Sequence, residues 1–265
     1  MDNQEPKITE MWRQWFMTGE FISEKRNRKI FKLLPANPRC KLCNAPFKGI
    51  GAPIIRAFFH RQQSNMNPRI CNRCESSARQ FPGGAEVKMS ILFADVRGST
   101  ALSEKMSALE FSKLINRFYT EATNVIIETD GLVEKLAGDS VSAFWGPGFA
   151  GPDYPQRTLE AAQNLLRVTG HADAHGPWVS VGIGIHTGIA FFGSMGTAEG
   201  LTDITAVGEE VNIAARLAAQ AAAGEIMVSE NALKDAGVDG SGLESRSLEL
   251  KGISHPVAVR VMRIS

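Results

Sequence analysis

Several things are missing from this sequence of 265 residues. No apolar run reaches the roughly 18 residues that a membrane-spanning helix needs. No cysteine occurs after residue 74, and only four occur up to it, so a disulfide framework for the whole chain is excluded. There is no internal repeat of 20–50 residues and no low-complexity tract, which removes solenoids and fibrous architectures. The opening MDNQEPKITE lacks the basic-then-apolar order of a secretory signal, so a soluble, cytoplasmic protein is expected. Net charge is nearly absent too, with 29 basic against 28 acidic residues, but the balance conceals an asymmetry. Residues 1–85 sum to +9 and residues 86–265 to −8, a basic front and an acidic back that read as two units with separate tasks. With 43% apolar and 22% charged residues the chain has material for a real core.

The cysteines stand as Cys40-x2-Cys43 and Cys71-x2-Cys74, separated by 27 residues, with none left over. In a reducing compartment this pattern suits a metal site better than disulfides. Cys40 to Gly49 reads as a turn followed by a hairpin, and Cys71 to Gln80 opens a helix. This knuckle-then-helix order resembles a treble-clef zinc finger. Tetrahedral Zn2+ suits four thiolates, and an Fe–S cluster is the alternative. The basic charge permits nucleic-acid binding, but Phe47, Phe58 and Phe59 are the only aromatics between residues 40 and 74, so nucleic acid is not the expected partner.

Domain boundaries follow from the breaks. An amphipathic helical segment occupies 1–38, with a helix over 8–34 whose Trp12, Trp15, Phe16, Phe21 and Ile22 share a face and which Gly19 interrupts. Such a face is expected to pack on its own protein or on a second copy rather than on a membrane. The four-cysteine module spans 39–82, and Phe81-Pro82-Gly83-Gly84 forms a break before a larger domain over 86–265. In that domain Val87–Ala94 is strand-like. A helix follows over 108–129, with Phe111, Leu114, Ile115, Phe118, Ala122, Val125 and Ile126 in one stripe, stopped by Asp130-Gly131. Leu132–Leu136 and Val141–Trp145 form a hairpin, and residues 146–155 carry too many prolines and glycines for a regular element. A helix over 156–171, a strand over 179–186, a helix over 209–222, a strand over 226–228 and two closing strands near 243–250 and 257–262 complete a ferredoxin-like α+β pattern. His186 is expected to be a core or strand-end residue.

Asp95 ends a buried strand before a glycine turn, and Asp139 sits in the hairpin turn. In a ferredoxin-like order these are neighbours, so both carboxylates converge on one point beside backbone N–H groups, a setting for divalent cations and phosphate oxygens.

Four segments carry a family resemblance. Ile91-Leu92-Phe93-Ala94-Asp95-Val96-Arg97-Gly98-Ser99-Thr100 resembles the signature opening of class III nucleotidyl cyclases. Leu132–Asp139 is similar to their second metal segment, Gly182–Gly188 to the core strand that follows, and Thr205–Leu217 to the segment with the last catalytic pair. The resemblance covers 86–265 and implies a palm-type cyclase fold that turns a nucleoside triphosphate into a cyclic nucleotide and pyrophosphate. It implies two Mg2+ or Mn2+ ions on Asp95 and Asp139, with the Val96 carbonyl as a further ligand. It implies phosphate binding by backbone N–H groups of Gly98, Ser99 and Thr100, ribose orientation by Asn212, and transition-state charge stabilisation by Arg216. Arg97, outside that set, is expected to contact phosphate or a partner subunit, with a plain surface role as the alternative.

Base reading is implied at Lys135 and Thr205. A lysine donates to the adenine ring nitrogen beside the amine and a threonine hydroxyl accepts from the amine itself, so the resemblance implies ATP and an adenylate cyclase. The Lys/Thr pair is similar to the class IIIb branch, which implies bicarbonate stimulation. Glu134 is expected on the opposite strand face from Lys135 and so away from the base. The family's sites form between two subunits, which implies a homodimer. Cyclases for GTP, CTP or UTP, and a non-catalytic nucleotide-sensing or nucleic-acid-binding regulator, are the alternatives.

Overall fold

The computed structural model describes residues 5–19, 30–31, 33–34, 38–40, 43–65, 70–196 and 202–264. The chain forms two compact units. The first is made of Met1–Val87, Gly146–Gly151 and Ala190–Val207, and the second of Lys88–Trp145, Pro152–Ile189 and Gly208–Ser265. Strands β1 (Gly83–Val96) and β4 (Val181–Gly196) have residues in both. Among the described residues no helix is long and apolar enough to cross a membrane.

The second unit carries the alternating elements expected from the sequence. After β1 come α4 (Ser99–Lys105) and α5 (Ala108–Glu128), then β2 (Leu132–Ala137), β3 (Ser140–Trp145), α7 (Tyr154–Val168), β4, α8 (Glu209–Gln220), β6 (Ile226–Ser229), α9 (Glu230–Asp235), β7 (Glu244–Leu248) and β8 (Val257–Met262). The strand order β2-β3-β1-β4 is the ferredoxin-like order, extended past β4 by β6, β8 and β7. The run Met89–Leu92 is buried throughout, as a strand covered on both faces must be, with the Ser90 hydroxyl bonded to that of Thr187. α5 begins in a capping box, in which the Ser107 hydroxyl accepts from Glu110 N–H and the Glu110 carboxylate accepts from Ser107 N–H. It buries Ile115, Phe118, Ala122, Val125 and Ile126 against the sheet side, the stripe that the spacing predicts. α8 buries Ile213, Ala214, Leu217 and Ala218, which leaves Asn212 and Arg216 on its exposed side.

The first unit contains α1 (Glu5–Thr18), α2 (Gly51–Phe59), α3 (Asn72–Gln80), the short α6 (Pro147–Ala150) and β5 (Thr202–Val207), which pairs antiparallel with Phe191–Gly196 of β4. α1 packs its aromatic face inward as expected: the Phe16 and Phe192 rings lie 4.8 Å apart, and those of Trp15 and Phe149 lie 5.8 Å apart in an edge contact. α1 ends at Thr18, interrupted as expected by Gly19, which takes a left-handed φ of 69° and whose N–H donates to the Trp15 carbonyl at 2.8 Å; residues 20–29 of the expected 8–34 range lie outside the described residues. Phe21 and Ile22 lie outside the described residues.

Two expectations of irregular chain were wrong. Gly83 and Gly84 are not a break but the first residues of β1: a Cβ at Gly84 would lie 2.4 Å from the Phe192 carbonyl oxygen, so glycine is what allows the approach. The proline- and glycine-rich stretch after Trp145 does hold one turn of helix, α6, because Pro147 occupies its first position, where no N–H is required.

Candidate active site and cysteine centre

Backbone pairing builds the acidic pair. Asp95 lies opposite Ser140 in the β1–β3 register, and Asp139 immediately precedes Ser140 in the two-residue turn Gly138-Asp139. Gly138 has a positive φ of 62° at the first turn position, the type II′ arrangement that suits strand twist. The Val96 N–H donates to the Asp139 carbonyl at 3.0 Å, which fastens the turn to the end of β1. Tyr119 on α5 adds a second brace through its hydroxyl, which donates to the Gly138 carbonyl at 2.7 Å. The Ser99 hydroxyl donates to the Asp139 carboxylate, so the start of α4 orients this group. Partial burial pushes the Asp95 carboxyl above its ordinary pKa; Arg97 opposes this and the charge of Asp139 reinforces it. Two hard oxygen donors that repel each other at one sheet end form a donor set for a divalent cation such as Mg2+ or Mn2+.

The other expected residues distribute as follows. Arg97 is engaged within the chain: it pairs with the Asp95 carboxylate and donates to the Ala219 carbonyl at 2.9 Å, tying the end of α8 to the β1 loop. Gly98 adopts a left-handed φ of 69° at the cap of α4, followed by Ser99 and Thr100 in its first turn. Asn212 and Arg216 lie one turn apart on the exposed side of α8, and Lys135 is exposed on β2. Thr205 is half-buried on β5, opposite Gly193, within the first unit. His186 is buried in β4 and bonded through Nε2 to the Glu210 carboxylate on α8, the core role expected of it.

One expectation is corrected. Glu134 does not lie across the strand from Lys135, because the β2–β3 register shifts between Val133 and Lys135 and suspends the two-residue alternation. The Ser142 hydroxyl, on the residue paired with Lys135, donates to the Glu134 carboxylate. Glu134 and Lys135 therefore share a face.

The four cysteines come together in the first unit and all are buried. Their sulfurs lie within 4.8 Å of one another. The first pair sits on a tight knuckle, closed by the Cys40 N–H on the Ala45 carbonyl at 2.8 Å, with Asn44 at a positive φ of 62°. The second pair opens α3, whose cap is the Cys71 sulfur accepting from Cys74 N–H at 3.4 Å. The crowded thiols share hydrogen bonds and titrate as one coupled set rather than as four independent groups. Sequence reasoning missed α2 and Arg61, which follows it; a single arginine outside any motif gives no pattern signal, yet Arg61 is buried against these sulfurs.

The chain is similar to proteins of known type. The adenylate and guanylate cyclase catalytic domain matches residues 85–254. An adenylate cyclase of Anabaena cylindrica is 32% identical over 136 residues, covering 49% of this chain and 26% of its own. An uncharacterized protein of Mycobacterium tuberculosis is 34% identical over 136 residues, covering 51% of this chain and 24% of its own. The chain thus matches about a quarter of the length of these curated relatives. Among solved structures, the guanylyl cyclase Cya2 superposes with a TM-score of 0.60 at 27% identity, covering 68% of this chain and 93% of that one. The adenylyl cyclase CyaB from P. aeruginosa does so with a TM-score of 0.55 at 28% identity, covering 68% and 96%. With the acidic pair at the end of β1 and residues 85–254 matched throughout, the chain belongs to the class III adenylate and guanylate cyclases.

Proposed function

We propose that the chain is an adenylate cyclase that converts ATP into 3′,5′-cyclic AMP and pyrophosphate in a homodimer. The observation that carries this reading is the Asp95–Asp139 pair, brought together by strand register and oriented by Ser99. When bound there, two divalent cations supply a lowered pKa at the ribose 3′-hydroxyl and charge neutralisation at the departing pyrophosphate. The protein's own part is positional. Asp95 and Asp139 hold the acidic side of the site, the Val96 carbonyl stands beside them, and Arg97, Gly98, Ser99 and Thr100 line the phosphate end. Arg97 is paired with Asp95 in the protomer and must exchange that partner for phosphate oxygens if it is to bind them.

Asn212 orients the ribose, and Arg216, one turn along α8, meets the charge that grows on the α-phosphate. Removing such a donor typically costs on the order of 10²–10³ in rate. Lys135 and Thr205 read the adenine edge. Lys135, Asn212 and Arg216 all face solvent in the protomer, which supports a site completed by a second copy of the chain.

One observation favours a second reading, a guanylate cyclase. Glu134 lies on the face of Lys135, and a carboxylate there accepts from the N1–H and amine of guanine. The test is incubation of purified protein with each of the four nucleoside triphosphates plus Mn2+, with cyclic products identified by mass. Cyclic AMP as the main product, lost in Asp95→Asn, supports the first reading. Cyclic GMP as the main product replaces it with the second, and no cyclic product from any nucleotide overturns both.

A further inference from the structure

The four-cysteine centre has a geometry that discriminates between kinds of metal. A tetrahedral ion with metal–sulfur bonds of about 2.3 Å sets its ligand sulfurs about 3.8 Å apart along every edge. Cys40 Sγ and Cys74 Sγ stand 3.9 Å apart, Cys43 Sγ and Cys71 Sγ stand 3.7 Å apart, and no pair of the four exceeds 4.8 Å. An iron–sulfur cluster distributes its thiolates over separate irons bridged by sulfide, so some ligand sulfurs must lie well beyond a single-ion edge. A disulfide needs its sulfurs at about 2.05 Å, far inside the spacing seen.

Charge points the same way. Four thiolates around one divalent cation leave a net charge of −2 in a buried site, which is costly unless it is offset. Arg61 is 7% exposed, and its Nη1 lies 3.4 Å from Cys43 Sγ, 3.7 Å from Cys71 Sγ and 3.8 Å from Cys74 Sγ. Its guanidinium also stacks 5.5 Å from the Phe31 ring centroid. Backbone donors complete the sulfur environment, with Cys71 N–H on Cys40 Sγ at 3.3 Å and Cys74 N–H on Cys71 Sγ at 3.4 Å. A guanidinium placed against three sulfurs is positioned to offset the negative charge of a thiolate set.

We propose that Cys40, Cys43, Cys71 and Cys74 form a mononuclear tetrathiolate centre for one tetrahedral divalent cation, zinc being the expected occupant, with Arg61 as its built-in counter-charge. The claim concerns the first unit alone and stands whether or not the nucleotide assignment does. It is tested on the full chain by metal and acid-labile sulfide analysis as isolated, and by cobalt exchange. One metal equivalent per chain without sulfide, and a cobalt form with the intense visible bands of tetrahedral thiolate coordination, are expected. Two or four irons with matching sulfide, or metal-free protein with four titratable thiols, overturns it.

Arg61→Gln and the isosteric apolar Arg61→Met test the counter-charge. Both are expected to keep the stoichiometry but to lose metal to a chromogenic chelator at about 10–100-fold lower chelator excess, the usual penalty for removing an outer-sphere partner. Arg61→Lys should recover part of the difference. If Arg61→Met holds its metal as tightly as the unaltered chain, the guanidinium is packing and not counter-charge.

Discussion

The turn after α8 rests on one buried carboxylate, and acid should undo it. Glu225 is 4% exposed; it accepts from Arg246 Nη1 and Nη2 at 3.0 and 2.8 Å, from Ala222 N–H at 3.0 Å, and from Arg263. Arg246 first, with the backbone bond and Arg263 behind it, holds its pKa at about 2 against an ordinary 4.5, outweighing burial, which acts the other way. Because the folded pKa lies below the unfolded one, the contribution is complete above about pH 5 and fades as pH falls from 4.5 towards 2. The full shift corresponds to roughly 3 kcal/mol, and solvent around the arginines reduces this to about 2–3 kcal/mol. Glu225→Gln keeps the shape but removes the charge, while Glu244 remains within reach of both arginines at 2.7 and 2.9 Å. At pH 7 the variant should melt roughly 4–12 °C below the unaltered chain, at about 2–4 °C per kcal/mol for this size. The decisive comparison is denaturant unfolding of both proteins from pH 7 to 3. Their stability difference should shrink below pH 4.5 by up to about 1.4 kcal/mol per pH unit. A gap that stays constant across that range would show that Glu225 acts by shape alone.

Other consequences are open to equally direct measurement. Gly131→Ala places a Cβ 2.6 Å from the Trp145 ring and 2.8 Å from Ile126 Cγ2, and should cost about 1–3 kcal/mol in thermal or chemical unfolding; an unchanged midpoint would mean that the Trp145 ring yields freely. Asp95→Asn and Arg216→Ala should each be inactive alone, yet on mixing and re-equilibration regain about a quarter of full activity, because half the dimers are mixed and each of these has one intact site. No recovery on mixing, with subunit exchange confirmed by mass, refutes a shared site. Arg79 on α3 bonds Glu75 at 3.2 Å and lies 3.6 Å from Asp203 on β5, two residues before Thr205. Its replacement by alanine should raise the nucleotide KM roughly two- to fivefold, as expected for one exposed ion pair, with metal content unchanged. A fall in kcat at constant KM would contradict a role in holding that strand.

Fold legibility followed the strength of the periodic signal. The α5 stripe, the β2–β3 hairpin and the closing strands were readable because burial imposes their spacing on each segment locally. Elements whose justification is tertiary were not. Gly83, Gly84 and Gly193 look like chain breakers, but they are small because two strand backbones meet there, with a Cβ on Gly193 falling 2.1 Å from the Gly83 carbonyl oxygen. α2 was obscured by Gly51 and Pro53, although a proline in a first turn gives up no hydrogen bond. The left-handed residue after α5 is Asp130, at φ 62°, and the glycine beside it is required by Trp145 instead.

The site was readable to the extent that its chemistry is written in local order. An aspartate at the end of one strand and another in the turn of the neighbouring hairpin stay adjacent under any ferredoxin-like strand order, so Asp95 and Asp139 needed no tertiary knowledge. Tyr119, Arg61 and Glu134 needed it, because each acts on a partner 8 to 19 residues away through a contact that leaves no mark in spacing. Glu134 is the most consequential of the three. Strict alternation removes it from the base, and a single register shift restores it to the face of Lys135. In the proposed site a purine edge would meet a lysine donor and a carboxylate acceptor on one face. On that proposal, Glu134→Gln should move the ratio of cyclic AMP to cyclic GMP without abolishing either.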